Sequence, residues 1–506
     1  MKTHSPARNA CKVLMICLWV VPCLLAEAQP FFYQPSQLKI WRERTGFLPG
    51  KLLYNSPGDV APGSPGDWQR IASQAALFLK DPLPDRYTNF YQGAGCFPTE
   101  QKHGASFQEV HAVQPLKKGD QLLCAAFFYL LTELETYAMA VQRELLHYLA
   151  EPSLDAADSS RFCTDLRNSV SDHNHFFLAG WYGKLLQAYD YTRHSAAYQP
   201  SEHRQIREWH LAAARYFQAV VVNDLANVIP GFWKGDFTVM QSTLHEAGWL
   251  GSKQTDQGFL YDGGPLVYNI SRQFNNRRTA QVRYLFTVGL YFGDPQLVET
   301  GKAYFKAAIA LGLLEEDCLH ADFYRAVPGN HEAGYTYAAT AITDLIHMAD
   351  AYAKVYDDAL YRFTTSKVEM ARFCPAVHSK QGWYQAVAVE GKSLQKAIQT
   401  HLVMVTGEGH WQRFGEKIDG RASVTDNQGG KYEAFYLYHI WFLPANQHFR
   451  NPEWAAILEG RDGRALFPLP PTIAHGPGIY WNNPWVGATH DVPGFMLMYA
   501  GLSGDN

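Results

Sequence analysis

Apolar residues recur every three or four positions through most of this chain, the spacing of helices that bury one face. Trp68, Ile71, Ala72, Ala75 and Phe78 make one such stripe behind a Gly66-Asp67 start. Leu122 to Leu149 is nearly continuous, and the same period predicts helices near 174–193, 201–226, 274–292, 295–313, 332–356 and 391–405. Strand-like alternation is confined to short stretches such as Gly382 to Val389. Long helices with short joins predict an all-α class built from helical hairpins. No unit of fixed length repeats, which counts against a regular solenoid. Periodicity alone leaves a bundle and an α/α toroid both open.

The two ends differ in texture. Residues 29–65 read as an extended lead-in rich in Pro, Gly and aromatics, with Tyr54 to Asp67 as loop. Beyond about 406, segments such as GEGHWQRFG and GPGIYWNNPW read as loops and short helices. They follow no separate linker, so 29–506 is expected to form a single domain with a loop-rich C-terminal part.

The first 28 residues change the picture of where the protein works. Lys2, Arg8 and Lys12 precede an apolar run from Val13 to Leu25, and Ala26-Glu27-Ala28 fits a small-residue cleavage site. The run is short for a bilayer and holds Pro22, so a cleaved leader is expected, with Gln29 as the mature start and no membrane attachment afterwards. The destination is a periplasm or the exterior. Cys96, Cys124, Cys163, Cys318 and Cys374 remain, too few for a disulfide scaffold. Cys124 sits in an apolar helical run and reads as a buried thiol.

Without the leader's three basic and one acidic residues, 41 basic residues face 47 acidic ones. A mildly acidic chain is a poor nucleic-acid binder. It can still take an acidic polymer if cations gather in one cleft. Aromatics are 14% of the chain, enough to supply stacking faces for sugar rings beyond those that fill core.

Two segments carry chemistry. Asn174 and His175 are adjacent in SDHNHFFLAGWYG, and Arg277 and Tyr284 lie in FNNRRTAQVRYLFTVGLYF. Seven residues separate that arginine and that tyrosine, two turns of helix, so they share a face with Gln281 while Arg283 points elsewhere. An amide, an imidazole, a guanidinium and a phenol can hold a uronate carboxylate and remove the neighbouring C5 proton. Hydrogen-bond donors on that carboxylate stabilise the enolate-like transition state. A base takes the proton and an acid protonates the departing O4. Tyr284 can do both on one side of the ring. On opposite sides, His175 is the natural base and Tyr284 the acid. Ionising a phenol at pH 7 costs roughly 4 kcal/mol, which a nearby cation lowers. The plainer alternatives are a helix cap for Asn-His, a core residue for Tyr284 and a solvated face for the arginines.

These residues resemble the alginate lyase-like polysaccharide lyases. That family carries Asn-Asn-His-x-Tyr-Trp and an Arg with a Tyr seven residues on. Here the first motif reads His173-Asn174-His175-Phe176-Phe177-Leu178, matching at Asn174 and His175 and departing at the other three defined positions. Arg277 and Tyr284 match in type and spacing. The resemblance spans roughly 85–350. It implies an incomplete α/α toroid, carboxylate binding by Asn174 and Arg277, and proton transfer by His175 and Tyr284. It also implies a lid, for which Phe90-Tyr91-Gln92-Gly93 offers Tyr91 as a substrate contact.

Trp181 and Tyr182 are further candidates for a sugar floor, with core packing as the alternative. No cofactor or metal is called for. The His-Glu pairs at His245 and His331 do not extend to a zinc-protease helix, and a scattered set of His173, His245 and His331 is the metal alternative. The expected function is a secreted lyase that cleaves a uronic-acid polysaccharide, of alginate or glucuronan type, by β-elimination. A glycoside hydrolase using two of Asp172, Asp262 and Glu332 is one rival. A non-catalytic glycan binder is the other.

Overall fold

A computed structural model describes residues 30–44, 67–80, 114–150, 169–228, 274–313, 318–325, 331–366, 368–375, 382–389, 391–405, 424–425, 431–432 and 443–454. The described chain is helical. Helices α1 (Pro35–Arg44), α2 (Asp67–Lys80), α3 (Gln114–Thr132), α4 (Glu135–Ala150), α5 (Ser169–Thr192) and α6 (Pro200–Val228) come first. After them come α7 (Asn276–Phe292), α8 (Pro295–Ala307), α9 (His331–Val355), α10 (Ala359–Arg362), α11 (Leu394–Val405) and α12 (Leu443–Phe449). An antiparallel hairpin of β1 (Val368–Pro375) and β2 (Gly382–Val389) interrupts them, β2 being the segment whose alternation predicted a strand.

Side-chain contacts fix the layering. On α5 and α7, Tyr182 meets Tyr284 and Asp190 meets Tyr291, so the two helices run parallel and in step. The same holds for α3 and α5, through Gly119 against Trp181 and Phe127 against Tyr191. It holds again for α7 and α9, through Arg283 with Asp344 and Phe286 with Tyr352. Parallel neighbours need a returning helix between them. Helix α6 folds back on α5, with Trp209 and Phe217 on Tyr182 near one end and Tyr198 on Thr192 at the other. Helix α8 folds back on α7, where Tyr304 meets Thr279 and Leu297 meets Gly289. A row of parallel helices backed by antiparallel ones is the α/α toroid arrangement. The row α3–α5–α7–α9 is flanked by α2 on one side and α11 on the other.

One join shows how the sequence sets this architecture. Gly293 takes φ 72° to end α7, and Asp294 caps α8 through Gln296 and Leu297 with Pro295 at the first position. The reversal is so tight that a methyl on Gly301 would overlap the ring of Phe286.

Three expectations change. The predicted run Leu122–Leu149 breaks between α3 and α4, where Glu133 adopts φ 59° and its N–H reaches Tyr129 O at 2.6 Å. The predicted helix 295–313 ends as a π turn, Ala308–Gly312. The lead-in is not simply extended, since it contains α1. Phe31 and Phe32 before it donate their backbone N–H groups to the Asp190 carboxylate at 3.1 and 3.0 Å, and Tyr291 donates its hydroxyl to the same group. This docks the N-terminal segment on the C-terminal ends of α5 and α7. The leader, the lid segment around Tyr91 and most of the C-terminal part lie outside the described residues. Among the described residues, no helix is long and apolar enough to cross a membrane.

Candidate active site

The two predicted segments lie on α5 and α7, which pack in step. Tyr182 pairs with Tyr284 at 5.8 Å between ring centroids, and Gly183 lies beside Arg283. His175 is seven residues before Tyr182, and Arg277 is seven before Tyr284. Equal steps along parallel helices put both positions at one level, about 10 Å toward the helix N-termini from the Tyr182–Tyr284 contact. The side chains of Asn174 and His175 lie outside the described residues. Arg277 is half-buried.

Tyr284 lies deeper than an open phenol. Only 2% of it is exposed, and its ring packs with Tyr182 and Phe217 between α5, α6 and α7. Its hydroxyl is 2.8 Å from Nδ1 of His210 on α6. Burial drives the His210 pKa down to about 3, so the imidazole is neutral. A neutral ring that sequence reasoning missed therefore faces this phenol. No local signal marks His210; it stands out only once α6 lies against α7.

Three substrate-binding expectations are corrected. Trp181 is 1% exposed and packs edge-on against Tyr148 of α4, and Tyr182 is fully buried between Trp209 and Tyr284. Both rings complete the core because α5 is enclosed by α3, α4, α6 and α7. Gln281 is also fully buried, and its amide oxygen accepts from Arg278 at 3.0 Å. None of the three offers a face to a sugar. Among the described residues no cluster of three His, Cys, Asp or Glu side chains could hold a metal; the side chains of His173, His245 and His331 lie outside them.

A polar strip runs across the parallel helices on the side away from α8. Gly183 and Gln187 of α5, Arg283 and Thr287 of α7 and His347 of α9 are partly buried, and Arg283 stands next to Gly183. Arg283 is its centre. Its Nε is 2.8 Å from Asp344, a carboxylate with no exposure at all. Burial and the nearby Arg283 and Lys354 keep His347 neutral.

Burial pushes the Asp344 carboxyl up to about 7, against the pull of Arg283. In the unfolded chain the same group titrates near about 4. Between those values the folded chain holds the extra proton, so this site's contribution to stability falls as pH rises through that window. Asp344→Asn is expected to shrink the difference in melting temperature between roughly pH 5 and roughly pH 8. Thermal melts of both proteins at both pH values check this, and an unchanged difference contradicts it.

No protein-family model matches the chain, and no curated protein matches it. Two solved alginate lyases resemble it at a distance. One is a histidine-to-alanine variant of alginate lyase A1-III complexed with a tetrasaccharide. It is 12% identical, with a TM-score of 0.45, and the match covers 87% of this chain and 96% of that one. The other is an alginate lyase from Bacteroides ovatus, 12% identical with a TM-score of 0.47, covering 85% of this chain and 94% of that one. The chemistry of this chain rests on its own side chains.

Proposed function

We propose that the protein is an exported polysaccharide lyase that cleaves a uronic-acid polymer by β-elimination. What supports this reading is the parallel, in-step packing of α5 and α7, the two helices whose sequences carry Asn174, His175, Arg277 and Tyr284. In this reading Arg277, with Asn174, neutralises the uronate carboxylate. The C5 proton leaves to a base, the C5–H electron pair forms the C4=C5 double bond, and the C4–O4 bond breaks. The departing O4 takes a proton from an acid. His175 and Tyr284 supply base and acid when C5–H and O4 lie on opposite sides of the ring; Tyr284 supplies both when they lie on one side. Reaction through Tyr284 requires its hydroxyl to exchange His210 for the sugar.

The 2% exposure of Tyr284 favours a second reading of that one residue, as a packing tyrosine whose hydroxyl satisfies His210. The two readings separate in the behaviour of Tyr284→Phe.

The experiment for the function as a whole is ultraviolet absorbance of the 4,5-unsaturated uronate during incubation with alginate and glucuronan. A rising trace on at least one polymer is expected. Flat traces across a broad uronate panel, with folded protein, defeat the proposal.

A further inference from the structure

The proposed reaction gives no task to the β1–β2 hairpin, yet its foot is fixed beside the end of α7 that carries Arg277. Thr365 and Lys392 close the base of the hairpin. The Thr365 N–H donates to Lys392 O at 3.0 Å, and the Lys392 N–H donates to Thr365 Oγ1 at 3.0 Å. Thr364 and Ser393 continue the same ladder. The Lys392 side chain is buried, and its ammonium donates to Ala310 O at 2.9 Å and to Leu313 O. A cation on the last carbonyls of a helical segment satisfies groups that otherwise lack partners. Here it also ties the foot of the hairpin to the π turn that ends α8. That turn lies at the start of α7, because Gly312 sits against Phe274, three residues before Arg277.

Each strand has 8 residues, roughly 26 Å of extended chain. Packed helices are only about 8–10 Å apart, so from that foot the ribbon has the reach to border the α5–α7 pair. Among the described residues it pairs with no third strand, and a two-stranded ribbon by itself is marginally stable in water. Its register sorts its residues into two faces. Phe373 opposite Tyr384, Ala371 opposite Ala386 and Glu369 opposite Ala388 share one face. On the other, Arg372 opposite Gln385 and Cys374 opposite Trp383 form adjoining rows near the end away from the foot. An indole, a guanidinium and an amide at neighbouring positions suit a sugar ring that bears a carboxylate. The indole takes the apolar face of the ring, and the other two donate to its acid and hydroxyls. We propose that the β1–β2 hairpin is a substrate arm, whose Arg372–Gln385–Trp383 face binds a ring of the polymer beyond the one that reacts. This rests on the elimination reading for the reacting ring; the footing of the arm does not.

Steady-state kinetics of Trp383→Ala and Arg372→Gln on short and long alginate oligomers test it. On long oligomers kcat/KM is expected to fall about tenfold in each variant, through KM. On the shortest oligomers cleaved, which do not reach the arm, each variant should stay within about threefold of wild type. A folded variant with wild-type kinetics at every length overturns the proposal, and so does an equal loss at every length. Should both variants fail to fold, hydrogen exchange of the wild-type protein decides. Amides of residues 368–389 are expected to exchange about tenfold more slowly with a saturating long oligomer than without it, and unchanged exchange overturns the proposal. If the wild type forms no unsaturated product on any uronate polymer, the elimination reading fails by itself. Calorimetric titration with long alginate oligomers then decides the arm separately. Binding weakened about tenfold in Trp383→Ala supports it, and equal binding, or none by the wild type, overturns it.

Discussion

Tyr284→Phe is expected to lower turnover on a uronate polymer by about a hundred- to ten-thousand-fold, the range for losing a positioned acid or base. KM should change little, because the ring stays and only the proton carrier goes. The same substitution carries a stability cost. It removes the partner of His210 Nδ1 in a site where His210 is fully buried, and a buried polar atom left without a partner costs about 1–3 kcal/mol. The two effects are separable, since a modest loss of stability leaves the protein folded at assay temperature. If Tyr284 only packs, the variant melts earlier and its activity per folded molecule matches wild type. Turnover and a thermal melt on one preparation therefore distinguish a reacting phenol from a structural one. Full activity removes Tyr284 from the mechanism.

Arg277→Ala is expected to lower kcat/KM by about a hundred- to a thousand-fold, mostly through kcat. The carboxylate it neutralises gains charge on the way to the enolate-like transition state, so the interaction is stronger there than in the ground state. Arg277→Lys should recover part of the loss, because an ammonium keeps the charge without the planar fork. If Arg277→Ala raises KM alone, Arg277 contributes binding only and the reacting sugar sits elsewhere.

Helices with long apolar stripes were legible in the sequence, and so were their joins where turn chemistry is local. Gly293-Asp294-Pro295 ends one helix and starts the next with residues suited to each task. The break at Glu133 was not legible, because its left-handed turn is made by a residue with no special preference for it and is imposed by the α3–α4 reversal. The α1 helix hid in a Pro- and aromatic-rich segment whose docking depends on Asp190, 158 residues from Phe32. At the site, helical spacing placed Arg277 and Tyr284 on one face of α7. What spacing lacks is the neighbour. It could not show that α6 brings His210 to Tyr284, that Trp181 and Tyr182 are enclosed by flanking helices, or that Arg283, which points away from Tyr284, points toward Asp344 and the polar strip. Those facts are tertiary, and a single-sequence period carries none of them.

Cleavage of a defined uronate oligomer in isotopically heavy water, followed by mass spectrometry of both fragments, addresses the central claim most directly. Elimination breaks the C4–O4 bond without adding water. The fragment masses should then sum to that of the substrate, with no heavy oxygen in either product and one fragment carrying the unsaturated end. Incorporation of one heavy oxygen per cleavage would mean hydrolysis, and the mechanism built on His175, Arg277 and Tyr284 would not describe this protein.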